Sequence, residues 1–201
     1  TAASDHDATL HAVIDKYLQP SHVQRASLMS ATLAGIRLRT LRVSLADPDA
    51  FATLVRERIV RLDAAARLIL RDAELARDAI QETLVRAWKD LPGLRDPERF
   101  DAWLHRLTVR ACLDMARRKR RRVIEVELTP LDDVPMADVS AWVADRDVID
   151  RALHQLDPDQ RAVVVLRYYL QQTLPEAAEA LGIPLGTAKS RLHRALTQMR
   201  V

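Results

Sequence analysis

The sequence predicts an all-α protein of two small helical domains, a helical bundle and a helix-turn-helix unit, joined by an acidic flexible linker. Three observations carry that expectation. Only 4 glycines and 4% aromatics occur in 201 residues, against abundant Ala, Leu and Arg, which suits helices better than sheets. Asp47-Pro48-Asp49, Asp96-Pro97-Glu98 and Asp157-Pro158-Asp159 repeat one helix-start signal. In each, Asp caps the free amides, Pro presets φ, and the next acid favours the positive end of the helix dipole. Finally, the basic run Arg117 to Arg122 (RRKRRR) is followed by no Lys or Arg until Arg146, while Glu125, Glu127, Asp132, Asp133, Asp138 and Asp145 intervene. With Pro130 and Pro135 in it, that stretch reads as a linker.

The elements follow in order. Residues 1–46 are an extension without an assigned role. Within it Leu10, Val13, Ile14, Tyr17 and Leu18 make an amphipathic stripe that ends at Pro20, and GIRLRTLRVSL fits a helix or a strand equally. Residues 47–122 form the first domain. Leu75, Ala76, Ala79, Ile80, Leu84 and Ala87 point inward at helical spacing, Pro92 and Gly93 break that helix, and Phe100, Trp103, Leu104 and Leu107 open the next. Residues 123–145 are the linker and 146–201 the second domain.

In the second domain, TLPEAAEALGIPLGTAKSRLHRALTQM carries the most information. Thr173 with Glu176 makes a capping box, Leu174, Ala177, Ala178 and Leu181 face inward, and Gly182 ends the short helix. The next helix sets Leu185, Ala188, Leu192, Ala195, Leu196 and Met199 on one face and Lys189, Ser190, His193, Arg194 and Thr197 on the other. That is a helix-turn-helix with a recognition helix shaped for the DNA major groove. Arg suits guanine edges, and free amides near Thr187 suit a phosphate.

Composition excludes other classes. There is no phosphate-cradling glycine loop, no His-Glu-x-x-His and no cysteine cluster, so no enzyme, cofactor or metal site is expected. The lone Cys112 reads as core in a reducing compartment. No apolar run approaches a membrane span and no signal-peptide layout opens the chain, so a cytoplasmic protein without membrane contact is expected. Net charge is only +3, because the acidic strap cancels the basic run. A pI near 9.3 still fits a polyanion partner.

With both regions read, the chain resembles the extracytoplasmic function sigma factors of bacterial RNA polymerase. RDAELARDAIQETLVRAWKDLPGLRDPERFDAWLHRL is similar to that family's region 2, and LDPDQRAVVVLRYYLQQTLPEAAEALGIPLGTAKSRLHRAL to its region 4. The resemblance implies core RNA polymerase and promoter DNA as partners, with region 2 on the β′ clamp helices, region 4 on the β flap, and an anti-sigma factor as a further candidate. It puts Asp78, Gln81, Glu82 and Arg86 at the clamp contact. Leu94, Trp103, Arg106, Arg110, Asp114, Arg117 and Arg118 fall to the minus 10 DNA, and Thr187, Lys189, Ser190, Arg191, His193 and Arg194 to the minus 35 DNA. Departures are Arg77 where the family has an acid, Arg110 where it often has Asn, and alanines at 178 and 188. The alternative is a stand-alone helix-turn-helix regulator acting without polymerase.

Overall fold

The structure, a computed structural model, describes residues 48–125 and 143–199, and among these there are helices and no strands. The stripe at Leu10 to Leu18, the undecided segment before Asp47 and most of the acidic linker lie outside the described residues. Helix α1 runs Pro48–Leu70, α2 Ala73–Asp90 and α3 Phe100–Glu125, with single 3-10 turns at Leu91–Gly93 and Pro97–Arg99. Helix α4 runs Val143–His154, α5 Pro158–Val164, α6 Leu174–Leu181 and α7 Leu185–Gln198. Helix α3 thus carries three residues past Arg122, and α4 starts three residues before Arg146, so both enter the stretch read as linker.

Local chemistry sets the breaks. Helix α1 stops where the Arg71 amide bonds Arg67 O (2.8 Å) and Arg71 takes φ 54°. This is a left-handed conformation that normally favours glycine. Asp72 then caps α2, its carboxylate accepting from the amides of Glu74 (3.1 Å) and Leu75 (3.0 Å). Burial alone would raise the Asp72 carboxyl, but the Leu75 and Glu74 amides and the Lys119 ammonium outweigh it and hold it below the usual carboxylate range. The expected capping box of Thr173 with Glu176 forms at α6, and at α5 the expected cap Asp157 forms a second one with Gln160. Gly182 takes φ 67°, and Ile183 N reaches back to Ala178 O (3.0 Å), closing α6.

Helices α1, α2 and α3 make the first bundle. Ala65 and Ala66 of α1, Ala76, Ala79 and Ala87 of α2, and Ala111 and Cys112 of α3 are all buried. Such small residues let helix axes approach closely, and Leu62, Ile69, Phe100, Leu104 and Val109 fill the remaining volume. Two threonines that sequence patterning had not placed inside, Thr83 and Thr108, are fully buried. Each is satisfied by giving its hydroxyl to the carbonyl four residues back, Ala79 O (2.7 Å) and Leu104 O (3.0 Å).

Helices α4 to α7 make the second unit. After α5 the chain widens into a π-helical turn, Val165–Tyr169, which buries Val165, Leu166, Tyr168 and Tyr169. No sequence signal announced this turn. The two units do not stand apart: one continuous apolar cluster joins Leu62, Ile69 and Leu104 of the first to Leu153, Leu166 and Ala177 of the second.

Replacing Asp72 by Ala is expected to lower stability by about 1 kcal/mol, with Asp72→Asn losing less because the amide side chain still caps. Urea denaturation midpoints of the two variants check this.

Candidate nucleic-acid interface

Helix α7 starts after Pro184 with no side-chain cap, so amides of its first turn, at Thr187, remain available to an anion. Its inner face buries Ala188, Ala195, Leu196 and Met199 against the unit. Lys189, Ser190, His193 and Arg194 stand exposed along the outer face. Two residues depart from the expectation. Leu185, assigned to the inner face, is the first residue of the helix and is 39% exposed. Arg191 turns inward instead of outward: its Nη1 gives to Asp159 Oδ1 (3.1 Å), tying α7 to α5.

In the first unit, Lys89, Asp90, Gly93, Leu94, Arg95, Trp103 and Arg106 line an open cleft of about 440 Å³. The turn between α2 and α3 makes one wall, and the first turns of α3 make the other. Trp103 packs partly on Phe100 (ring centroids 5.7 Å apart) and also lines this cleft, so the indole is both core and surface. Leu94 and Arg106, expected near it, are brought together there. Lys89 and Arg95 were missed, although two cations flanking a Leu-Pro-Gly-Leu break were visible in the sequence.

Farther along α3, Arg117, Arg118, Lys119, Arg120, Arg121 and Arg122 are all exposed. Two have partners: Arg117 reaches Asp114 (3.4 Å) and Lys119 reaches the cap of α2 at Asp72 (3.1 Å). Asp114 also lies 3.8 Å from Arg86, which pairs with Glu82 (2.8 Å). So Glu82, Arg86 and Asp114 form one chain of charges binding α2 to α3, while Asp78 and Gln81 stand exposed on α2. Cys112 is a buried core residue, as expected, and burial pushes its thiol up to about 12, far from thiolate reactivity.

Arg106 and Arg110 are not open to solvent partners alone. Arg106 lies 3.5 Å from Glu179 of α6, and Arg110 Nε donates to Ala180 O (3.3 Å). Nearby, His105 Nδ1 meets Gln172 Nε2 at 3.1 Å. An amide N–H donating to Nδ1 requires an imidazole that is unprotonated there. Burial, with the Arg61 and Arg58 guanidiniums, lowers this histidine to about 4, and Asp101 opposes that only in part.

Comparison with known proteins agrees with this architecture. Residues 54–122 match the family model of sigma-70 region 2, and 146–199 match sigma-70 region 4. The chain is 37% identical over 150 residues to the RNA polymerase sigma-E factor of Streptomyces avermitilis, covering 75% of this chain and 83% of that one. It is 35% identical over 175 residues to the ECF RNA polymerase sigma factor SigM of Mycobacterium tuberculosis, covering 87% and 82%. Among solved structures, CnrH in complex with the cytosolic domain of CnrY aligns with TM-score 0.55 at 29% identity, covering 80% of this chain and 93% of that one. The Bartonella quintana sigma factor RpoE in complex with the anti-sigma factor NepR aligns with TM-score 0.64 at 24% identity, covering 74% and 93%, which bears on the fold. The chain belongs to the extracytoplasmic function group of the sigma-70 family, RNA polymerase sigma factors that direct promoter-specific transcription initiation. A stand-alone regulator needs the helix-turn-helix but not region 2, and this chain carries both. No described helix is long and apolar enough to cross a membrane.

Because the folded value of His105 lies below the ordinary 6.5, its contribution to stability is complete above about pH 6.5 and declines as pH falls toward about 4. Thermal midpoints of the native chain are expected to drop more steeply across that window than those of His105→Gln. Parallel curves would contradict the neutral interface histidine.

Proposed function

We propose that region 2 anchors on core polymerase through Asp78 and Gln81, with Glu82 and Arg86 holding that face of α2 against α3. On the promoter, the cleft between Leu94 and Trp103 takes an unstacked base of the nontemplate minus 10 strand. The indole offers a stacking surface of the kind worth about 1–3 kcal/mol per base, and Lys89, Arg95 and Arg106 face the phosphates. Arg117, Arg118 and the cations that follow hold the backbone without reading it.

Helix α7 enters the major groove at the minus 35 element. Its first-turn amides and Thr187 take a phosphate, and Lys189, Ser190, His193 and Arg194 reach base edges or backbone. The observation carrying this reading is the exposed row Lys189, Ser190, His193, Arg194 above a buried Ala188, Ala195, Leu196 face. Arg191, held by Asp159, positions α7 and contributes little to base choice. The acidic segment between the domains lies along the basic nucleic-acid path of the polymerase. Core RNA polymerase, through its β′ clamp helices and β flap, and promoter DNA are the partners. CnrH is in complex with the cytosolic domain of CnrY and RpoE with the anti-sigma factor NepR, which supports an anti-sigma factor as a third partner. The protein acts in the cytoplasm, without chemistry of its own.

Reconstitution with core polymerase on a promoter library tests this. The native chain is expected to bind core and select promoters, and failure to bind core where another sigma factor does would overturn the reading. Arg194→Ala is expected to lose about 1–3 kcal/mol of minus 35 base discrimination. Replacing Arg118, Arg120, Arg121 and Arg122 by Ala should instead weaken all promoters alike and flatten the salt dependence. Equal losses on every promoter for Arg194→Ala would remove it from the base readers.

A further inference from the structure

One acid lines the cleft of the first unit, and the fold does not use it. Asp90 is the last residue of α2, where helix carbonyls carry partial negative charge and a carboxylate is unfavourable. It precedes the 3-10 turn Leu91–Gly93, the place of a cap, yet its side chain makes no capping bond. The turn closes without it, through the Leu94 amide on Leu91 O (3.0 Å). Asp90 therefore weakens its own helix and supports no turn.

Nor is it paired. Elsewhere in this unit acids beside cations bind them: Asp63 with Arg67 (2.6 Å), Glu74 with Arg77 (2.7 Å) and Glu82 with Arg86 (2.8 Å). Asp90 shares its cleft with Lys89, Arg95 and Arg106, but among the described residues its carboxylate has neither a hydrogen bond nor an ion pair. The Lys89 and Arg95 side chains are equally without partners among those residues. Their donors and the Asp90 acceptor border an open space of about 440 Å³, within the range of small-molecule sites. Gly93 lines it too, and a Cβ there would meet no protein atom within 4 Å. Internal packing does not demand that glycine; the cleft gains from the missing side chain.

The chemistry of a carboxylate limits what it can do here. It only accepts hydrogen bonds, and it repels phosphates. It favours a nucleic-acid strand only by taking N–H groups from a base. Guanidinium and ammonium groups do the reverse, donating to base carbonyls and ring nitrogens. A base that satisfies both carries an amino group and a carbonyl on one edge. Guanine and cytosine have both on their pairing edge. Adenine has the amino group without a carbonyl, and the N–H of thymine lies between two carbonyls that repel a carboxylate.

We propose that Asp90 sets the base preference of the cleft: its carboxylate accepts from the amino group of the captured base while Arg95 donates to the carbonyl, so guanine or cytosine is selected over adenine and thymine. This rests on the reading above that the cleft takes an unstacked base of the nontemplate minus 10 strand. Arg95 has five N–H donors and meets the carbonyl and a phosphate together, while Lys89 stays on the phosphates.

The test uses the chain bound to core polymerase and a promoter selected from the library above, prepared with its nontemplate minus 10 strand single-stranded and read by competition fluorescence anisotropy. Replacing each nucleotide of that strand in turn by an abasic site locates the captured base as the position of largest loss. There, guanine or cytosine is expected to bind at least about fivefold tighter than adenine and thymine, the low end for one side chain reading a base. Asp90→Ala, at an exposed site, is expected to erase that ratio and leave other positions unchanged. Glu57→Ala, at an exposed acid of α1, is expected to keep it. Hypoxanthine for guanine, or 2-pyrimidinone for cytosine, removes only the amino group, and is expected to weaken native binding but not binding by Asp90→Ala. A preference for adenine or thymine at the located position, or a guanine or cytosine preference that survives Asp90→Ala, overturns the role of Asp90 while the cleft still takes a base. No loss at any abasic position overturns the cleft reading, and the proposal with it.

Discussion

Guanidinium groups gathered to hold a polyanion need acceptors when the polyanion is absent. Left alone they repel one another, and where partly buried they lose hydration without compensation. This constraint organises the whole structure. Within the first unit it is met by Arg58 on Asp101, Arg67 on Asp63 and Arg86 on Glu82. Between the units it is met by Glu179, Ala180 O, Tyr169 O and Asp150. Among the described residues, the cations at the end of α3 and on the outer face of α7 stay exposed, where a DNA backbone can approach.

Helix α3 links these features. Its first turns line the cleft with Trp103 and Arg106, its middle buries Leu104, Val109 and Cys112 against α1 and α2, and its end carries the basic run. The side of α3 bearing Arg106 and Arg110 faces α6.

Much of this was legible in the sequence because it depends on neighbours in the chain. The capping boxes at Asp157 and Thr173, the left-handed Gly182, and the alanine and leucine stripes are all set within a few residues, and each appears where pattern reading puts it. Short-range spacing also separated Lys189, Ser190, His193 and Arg194 from the inner face of α7. What pattern reading missed is long-range or side-specific. Arg71 meets Asp150 and Arg99 meets Glu179 across about eighty residues, and spacing within a helix cannot reveal that. Arg191 was put with the minus 35 residues by resemblance, yet it stands three residues after buried Ala188 and four before buried Ala195, so the helical period itself turns it toward Asp159. The π turn at Val165–Tyr169 follows a run of apolar and aromatic residues that would equally continue an α-helix.

The central claim is that the chain meets polymerase through the exposed face of α2 and promoter DNA through the exposed face of α7. Site-specific photo-crosslinking from positions 78 and 193 in the initiating complex measures it directly, since both side chains are exposed. Crosslinks from 78 to the β′ subunit and from 193 to minus 35 DNA are the predicted result. Position 78 crosslinking to DNA, or 193 crosslinking only to protein, in a complex active in initiation would contradict the account.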